Sequence, residues 1–446
     1  MLPPYQGDRF TFERERMSRK LLGAAVAALV GSALAMVPFA SVATASAKGG
    51  AAPGPASDAR FGTAGSVTPT YGARTIPHWS FTYTDPTNGV KYTATMVGSD
   101  PRKGGSTTVK TEIIPLEFTF VAAGQDMSAV SKLYGYDAKA QDWDADPTTG
   151  SPNDVAKTLS SPIFAANTYP GDLGGDTGQY GDVFMRAQFG KIGSGYHVKL
   201  ANTTVLPKQR FAVPASQGVA YQRVSGAVAG IVEGQWFSTK LQQLMGSLQI
   251  DPTTVPIFLT HNVLLFDGHD NYTNCCTLGY HGAAMPLGHG AGQANGQGNN
   301  PVQTFIYAAY TTPNTYTGFS PTTSPTRGIA DIHGLSHEVA EWLDDPFVDN
   351  AVQPWLTPTA PQYGCTGVLE TGDPVVGVWF PLAGNPDSAA NNVWHPEDEV
   401  NANWFARNGT TPLGLSSWDG RYTFMGPRTI GIGGAYTGFA SVAKGC

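Results

Sequence analysis

The sequence predicts a mixed α+β fold of the broad α/β class, and three observations carry that expectation. Residues 79–84 and 91–97 alternate apolar and polar side chains around Asp85-Pro-Thr-Asn-Gly, the pattern of a β-hairpin. Residues 255–266 and 303–310 are apolar and β-branched almost throughout, as strands buried on both faces are. One stretch, 328–343, reads as a long helix, and Asp344-Asp345-Pro346 stops it. The expected organisation is a β-rich N-terminal lobe over 76–250 and a second lobe over 251–446, where the helix covers a sheet.

Taken in chain order, residues 1–47 read as an N-terminal extension and signal peptide. Met17-Ser-Arg-Lys is a positive start, 21–42 is an uncharged apolar run, and Ala45-Ser46-Ala47 is a small-x-small cleavage site. The run is long enough to span a bilayer, but its Ala, Gly and Ser content and the cleavage site point to removal. A secreted, extracellular protein without membrane attachment after cleavage is therefore expected. Residues 48–75 read as a flexible linker. Beyond the hairpin come a strand at 109–121, short helices at 127–134 and 179–189, and strands at 196–200 and 210–213. Two long loops, 286–301 and 311–326, flank the strand at 303–310; the first is long enough for a lid.

Composition excludes some partners. Residues 1–47 carry five basic and three acidic side chains, and without them the chain has a net charge of about −9. That balance does not suit nucleic acid or anionic lipid. Charged residues make up 14% of the chain against 54 Gly and 33 Pro, which suits strands and long loops. Four cysteines, Cys275, Cys276, Cys365 and Cys446, allow three pairings. A vicinal bridge is strained, so one of Cys275 and Cys276 is expected to join Cys365. Their spacing does not match a zinc ribbon.

The helix carries the chemistry: His333-Gly-Leu-Ser-His337-Glu338-Val-Ala-Glu341. His337 and Glu341 stand one turn apart on one face, and His333 lies a further turn back on the same stripe. Two such residues on a helix, with a third from elsewhere, make a divalent-cation site. Glu338 occupies the position from which a zinc peptidase's general base takes a proton from water. The lobe thus reads as a metallopeptidase-like sheet with a covering HExxE helix. A carboxylate at 341 in place of a second His suits Zn2+ but also harder ions such as Ca2+. Glu370, 29 residues after Glu341, is the first choice for the third ligand and Asp373 the second. His261, His269, His281 and His289, four of nine histidines, cluster upstream, and His281 is a further candidate ligand.

Four segments follow one another in order: Cys275-Cys-Thr-Leu-Gly-Tyr-His281-Gly, Thr304-Phe-Ile-Tyr-Ala-Ala-Tyr310, Ser336-His-Glu-Val-Ala-Glu341-Trp-Leu-Asp-Asp-Pro346 and Leu369-Glu-Thr-Gly-Asp373. Together they resemble secreted bacterial proteins related to the plant phosphate-induced (EXORDIUM-like) family. The resemblance covers roughly residues 250–375 and, more loosely, the N-terminal part. It departs in the cysteine pattern and in Trp342-Leu343. It implies secretion and a metal-type site at the cell surface.

Two functions fit. The first is a secreted metal-dependent hydrolase, peptidase-like, with Zn2+ and Glu338 as base. The second is a non-catalytic extracellular or cell-surface binding protein with a structural cation such as Ca2+. There, Trp355, Trp379, Trp394, Trp404 and Trp418 would stack on a glycan. The corresponding ligands are a peptide or a cell-wall glycan. A serine hydrolase is disfavoured, since the sequence has no Gly-x-Ser-x-Gly elbow. N-terminal sequencing of protein recovered from the medium should begin at Lys48; a start at or before Ala40 would refute the cleavage site.

Overall fold

The computed structural model describes residues 72–120, 141–144, 154–222, 228–268, 275–284, 300–311, 330–357, 364–387, 390–407, 412–415, 417–424 and 446. All lie in the unit Ser41–Cys446. The signal peptide, nearly all of the linker, the helix expected at 127–134 and most of both long loops fall outside the described residues.

The fold is mixed α/β, built on an eight-stranded, mostly parallel sheet with few helices. Its strands are β1 Gly72–Arg74, β2 Ser106–Phe120, β3 Gln141–Asp144, β4 His197–Val205, β5 Gln209–Val213, β6 Thr254–His261, β7 Gly279–Ala284 and β8 Asn300–Tyr310. The central strand β6 lies parallel between β2 and β8, with Ile257 opposite Ile113 on one side and Ile306 on the other. The 15-residue β2 also carries β4 and β5 in parallel and β3 antiparallel. β7 returns antiparallel along β8. Strands from both the 76–250 and 251–446 segments therefore form one sheet.

Period-2 alternation assigns the two faces of this sheet to two cores. Val255, Ile257, Leu259, Ile306, Ala308 and Tyr310 face one core. Phe258, Phe305, Tyr307 and Ala309 face the other. Besides the short helix α1, Asp154–Ser160, three helices cover the sheet: α2, Tyr180–Gln188; α3, Gly234–Ser247; and α4, His333–Asp344. Helices α2 and α4 close the first core, and Leu335, Val339 and Leu343 of α4 pack there beside Val183 and Phe184 of α2. Helix α3 closes the second core through Phe237, Leu241 and Met245. The expected hairpin is present as His78–Thr84 and Lys91–Val97, with Trp79 opposite Met96.

Several expectations need correction. The apolar run 255–266 is two strands, since Asn262 takes a left-handed φ of 52°. Its N–H donates to the Tyr310 carbonyl and its own carbonyl accepts from Gly230, so Val263–Phe266 enters a second, four-stranded sheet. Apolarity alone does not register such a break. Helix α4 begins at His333 and not at 328. Asp331, at φ 35°, turns the chain there, and its carboxylate accepts the Ile332 and His395 N–H groups at 2.6 and 3.1 Å. Helix α3 was not foreseen, although Phe237, Leu241, Leu244 and Met245 keep helical spacing and the Glu233 carboxylate caps the Trp236 N–H at 2.6 Å. Gly234 and Gly246 near its ends lower its intrinsic propensity.

Cys365 is bonded to Cys446, with Cα atoms 5.8 Å apart, and not to Cys275 or Cys276. An 81-residue separation is no obstacle, because loop-closure cost grows only slowly with length. Trp355, Trp379, Trp394 and Trp404 are 0–3% exposed and pack in cores, which removes them as glycan platforms; the Trp418 side chain lies outside the described residues.

Core position decides the cost of truncation. Ile257→Ala, fully buried between two strands, should lower unfolding free energy by about 2–5 kcal/mol in denaturant titration. Val205→Ala, at a position 43% exposed, should stay within about 0.5 kcal/mol of the parent.

Candidate metal centre

Three structural pieces meet at the side chains of α4. The helix lies across β7 and β8, anchored by the Trp342 indole N–H, which donates to Thr304 Oγ1 at 3.1 Å. Strand β7 presents His281. A third wall comes from downstream: the hairpin Ala351–Leu356 and Cys365–Val368 leads into the segment holding Glu370 and Asp373. The Val400 N–H then bonds the Thr371 carbonyl at 2.9 Å and brings the 397–399 segment alongside.

His337 and Glu341 converge as their helical spacing requires, with Nε2 3.2 Å from Oε1. Of the two candidates for the third position, the second choice lies beside them: Asp373 Oδ1 is 3.8 Å from the same nitrogen. These three residues can offer one atom each to a shared ion. Glu370, the first choice, turns instead toward His281, 4.0 Å from its Nε2. Glu338 sits at the flank, its Oε1 4.0 Å from His337 Nε2. His333 pairs with Glu397, 2.9 Å from Oε2. Of the other upstream histidines, His261 bonds Asp154 at 2.5 Å, while His269 and His289 lie outside the described residues.

Glu397 is a residue that the motif search missed. Its carboxylate accepts a hydrogen bond from His337 Nδ1 at 2.9 Å and is itself held by the Gly377 N–H at 3.1 Å. The bond to Nδ1 turns Nε2 toward Glu341 and Asp373, the arrangement by which a carboxylate orients a ligating imidazole. The signal was His395-Pro-Glu-Asp-Glu399, three acidic residues together in a chain only 14% charged.

Two glycines allow the close packing. A Cβ at Gly372 would overlap the His337 ring, and a Cβ at Gly279 would sit 2.6 Å from Glu338 Cγ. The Gly372 and Asp373 N–H groups also donate to Glu341 Oε1 at 3.0 and 3.3 Å.

The electrostatics are those of a dry acidic site. Glu338, Glu341 and Glu370 are at most 2% exposed, and their ion pairs among the described residues are with histidines. Burial works against charge on Glu341, but His337 and His281 hold its carboxyl well below the usual range. Burial pushes Glu338 up to about 7. Burial, reinforced by the carboxylates of Glu341, Asp345 and Asp373, drives Glu370 well above a normal carboxyl. Among the described residues, both Glu370 oxygens, Glu338 Oε2 and Glu341 Oε2 have no hydrogen-bond partner. A buried ionised carboxylate without a partner costs several kcal/mol, and a cation supplies the missing partner. The residues present therefore fit a metal ion: one imidazole nitrogen, two carboxylates and an orienting acid.

Glu397→Gln should weaken cation affinity about 10–100-fold in competition with a chelating dye, because the acceptor that orients His337 loses its negative charge. Unchanged affinity would mean that Nε2 of His337 is not a ligand. No family model matches the sequence, and comparisons with curated proteins and with solved structures found no match, so its own residues carry the functional reading.

Proposed function

We propose that the chain is an exported, metal-dependent hydrolase with a peptidase-like division of labour. The observation that best supports this is His337: Glu397 holds its Nδ1, while its Nε2 faces Glu341 and Asp373 with Glu338 on the flank. His337, Glu341 and Asp373 hold the cation. Zn2+ suits one imidazole and two carboxylates; Ca2+ is the alternative, since two of the three donors are hard oxygens. A divalent cation bound there polarises a substrate carbonyl and lowers the pKa of water.

The chain's own groups do the rest. Glu338 accepts a proton from the attacking water and returns it to the leaving amine, the task of a carboxyl poised near neutral pH. Glu397 keeps the His337 ring in one tautomer, and the Gly372 and Asp373 amides hold Glu341 in place. The signal-type N-terminus and the Cys365–Cys446 bridge support export. So does the motif order shared with the EXORDIUM-like family. The substrate is a peptide or a peptide-bearing cell-wall polymer.

A second reading, a structural cation in a non-catalytic extracellular protein, is favoured by burial: none of His337, Glu338, Glu341, Glu370 and Asp373 is more than 7% exposed. Peptide-library cleavage followed by mass spectrometry separates the two. Glu338→Gln should cut turnover about 10²–10⁴-fold while the cation at His337, Glu341 and Asp373 is retained. His337→Ala should lose both. A Glu338→Gln protein that cleaves as fast as its parent would assign the cation a structural role.

A further inference from the structure

Glu341 has two carboxylate oxygens, and they face different places. Oε1 points to His337 and to the Gly372 and Asp373 amides. Oε2 points away from them, 3.6 Å from His281 Nδ1, which lies the same 3.6 Å from Glu338 Oε2. His281, Glu338 and Glu341 form a second group whose atoms can share an ion.

Three features of this second group call for a ligand. First, 3.6 Å is too long for a hydrogen bond, and His281 Nδ1, Glu338 Oε2 and Glu341 Oε2 are all buried without a hydrogen-bond partner among the described residues. Two donors on one tetrahedral ion at ~2.0–2.2 Å stand roughly 3.3–3.6 Å apart, which is the spacing seen. Second, the far nitrogen of His281 is already committed: Nε2 lies 3.1 Å from the Asp345 carbonyl and donates to it. That bond fixes the ring with Nδ1 turned inward, as Glu397 fixes His337 from the opposite nitrogen. Third, Glu370 is fully buried beside His281 with neither oxygen hydrogen-bonded.

We infer that the centre takes two divalent cations, with Glu341 bridging them: one at His337 and Asp373, the other at His281 and Glu338. The inference rests on the metal reading proposed above and extends it. Two-metal sites place their ions roughly 3.5–4 Å apart, within the span of a bridging carboxylate. Imidazole with carboxylates favours transition cations such as Zn2+, Mn2+ or Co2+ at both positions. Glu338 then ligates through Oε2 and keeps Oε1 toward the first position.

The test is stoichiometry on the full secreted chain, stripped by chelator and dialysed against Co2+, with bound metal counted by elemental analysis. Two equivalents are expected for the parent and one for His281→Gln. One equivalent for the parent would overturn the second site and leave the first standing; none would overturn the metal reading altogether. Should His281→Gln fail to fold, the Mn2+-loaded parent decides the matter by electron paramagnetic resonance. An exchange-coupled pair supports the bridge, and the spectrum of isolated Mn2+ ions overturns it.

Discussion

Most of what is unusual in this molecule follows from placing the Glu341 carboxylate in the protein interior. Its side chain has no exposure, so its charge needs compensation from every side. The compensation comes from distant parts of the chain: His337 one helical turn away, His281 from strand β7, and the amides of Gly372 and Asp373 from beyond the 351–368 hairpin. Each must be positioned to within tenths of an ångström, and each brings its own supports. Asp345 ties down the loop after α4 by accepting the Asp349 and Asn350 amides, and its carbonyl holds His281. Tyr180 of α2 places its hydroxyl 2.8 Å from both Glu399 Oε1 and the Glu397 carbonyl, joining the helix layer to the acidic segment.

The fold was legible wherever its cause was local. The hairpin, β2, α2 and β8 follow from alternation or apolar runs that one sheet face or one helix face imposes. The break at Asn262 was not legible, because a single left-handed residue redirects a strand without changing its hydrophobicity. The start of α4 was hidden for a similar reason: Asp331 turns the chain just before the helix and is held by bonds to His395, 64 residues away.

The site was legible in part. Helical spacing brings His337 and Glu341 together whatever the rest of the chain does, and their motif marks them. The choice between Glu370 and Asp373 depends on a turn whose Gly372 lies against the His337 ring, a tertiary fact with no counterpart in spacing. Glu397 carries no helical or strand register relative to the motif. It reaches His337 only because residues 371 and 400 are joined by a backbone bond.

The order of strands in the main sheet bears on how the chain acquires its structure. β2 finds its central partner β6 only after residue 254, and β1 pairs with β8 around residues 300–302. Contacts of such sequence separation belong to slowly folding topologies, because closure entropy is lost before the pairing rewards it. Until the chain has been completed through β6, the edge of β2 that β6 covers stays open to other chains, the condition in which aggregation competes with folding. This exposure during folding is set by topology alone, independent of what the acidic centre does once formed.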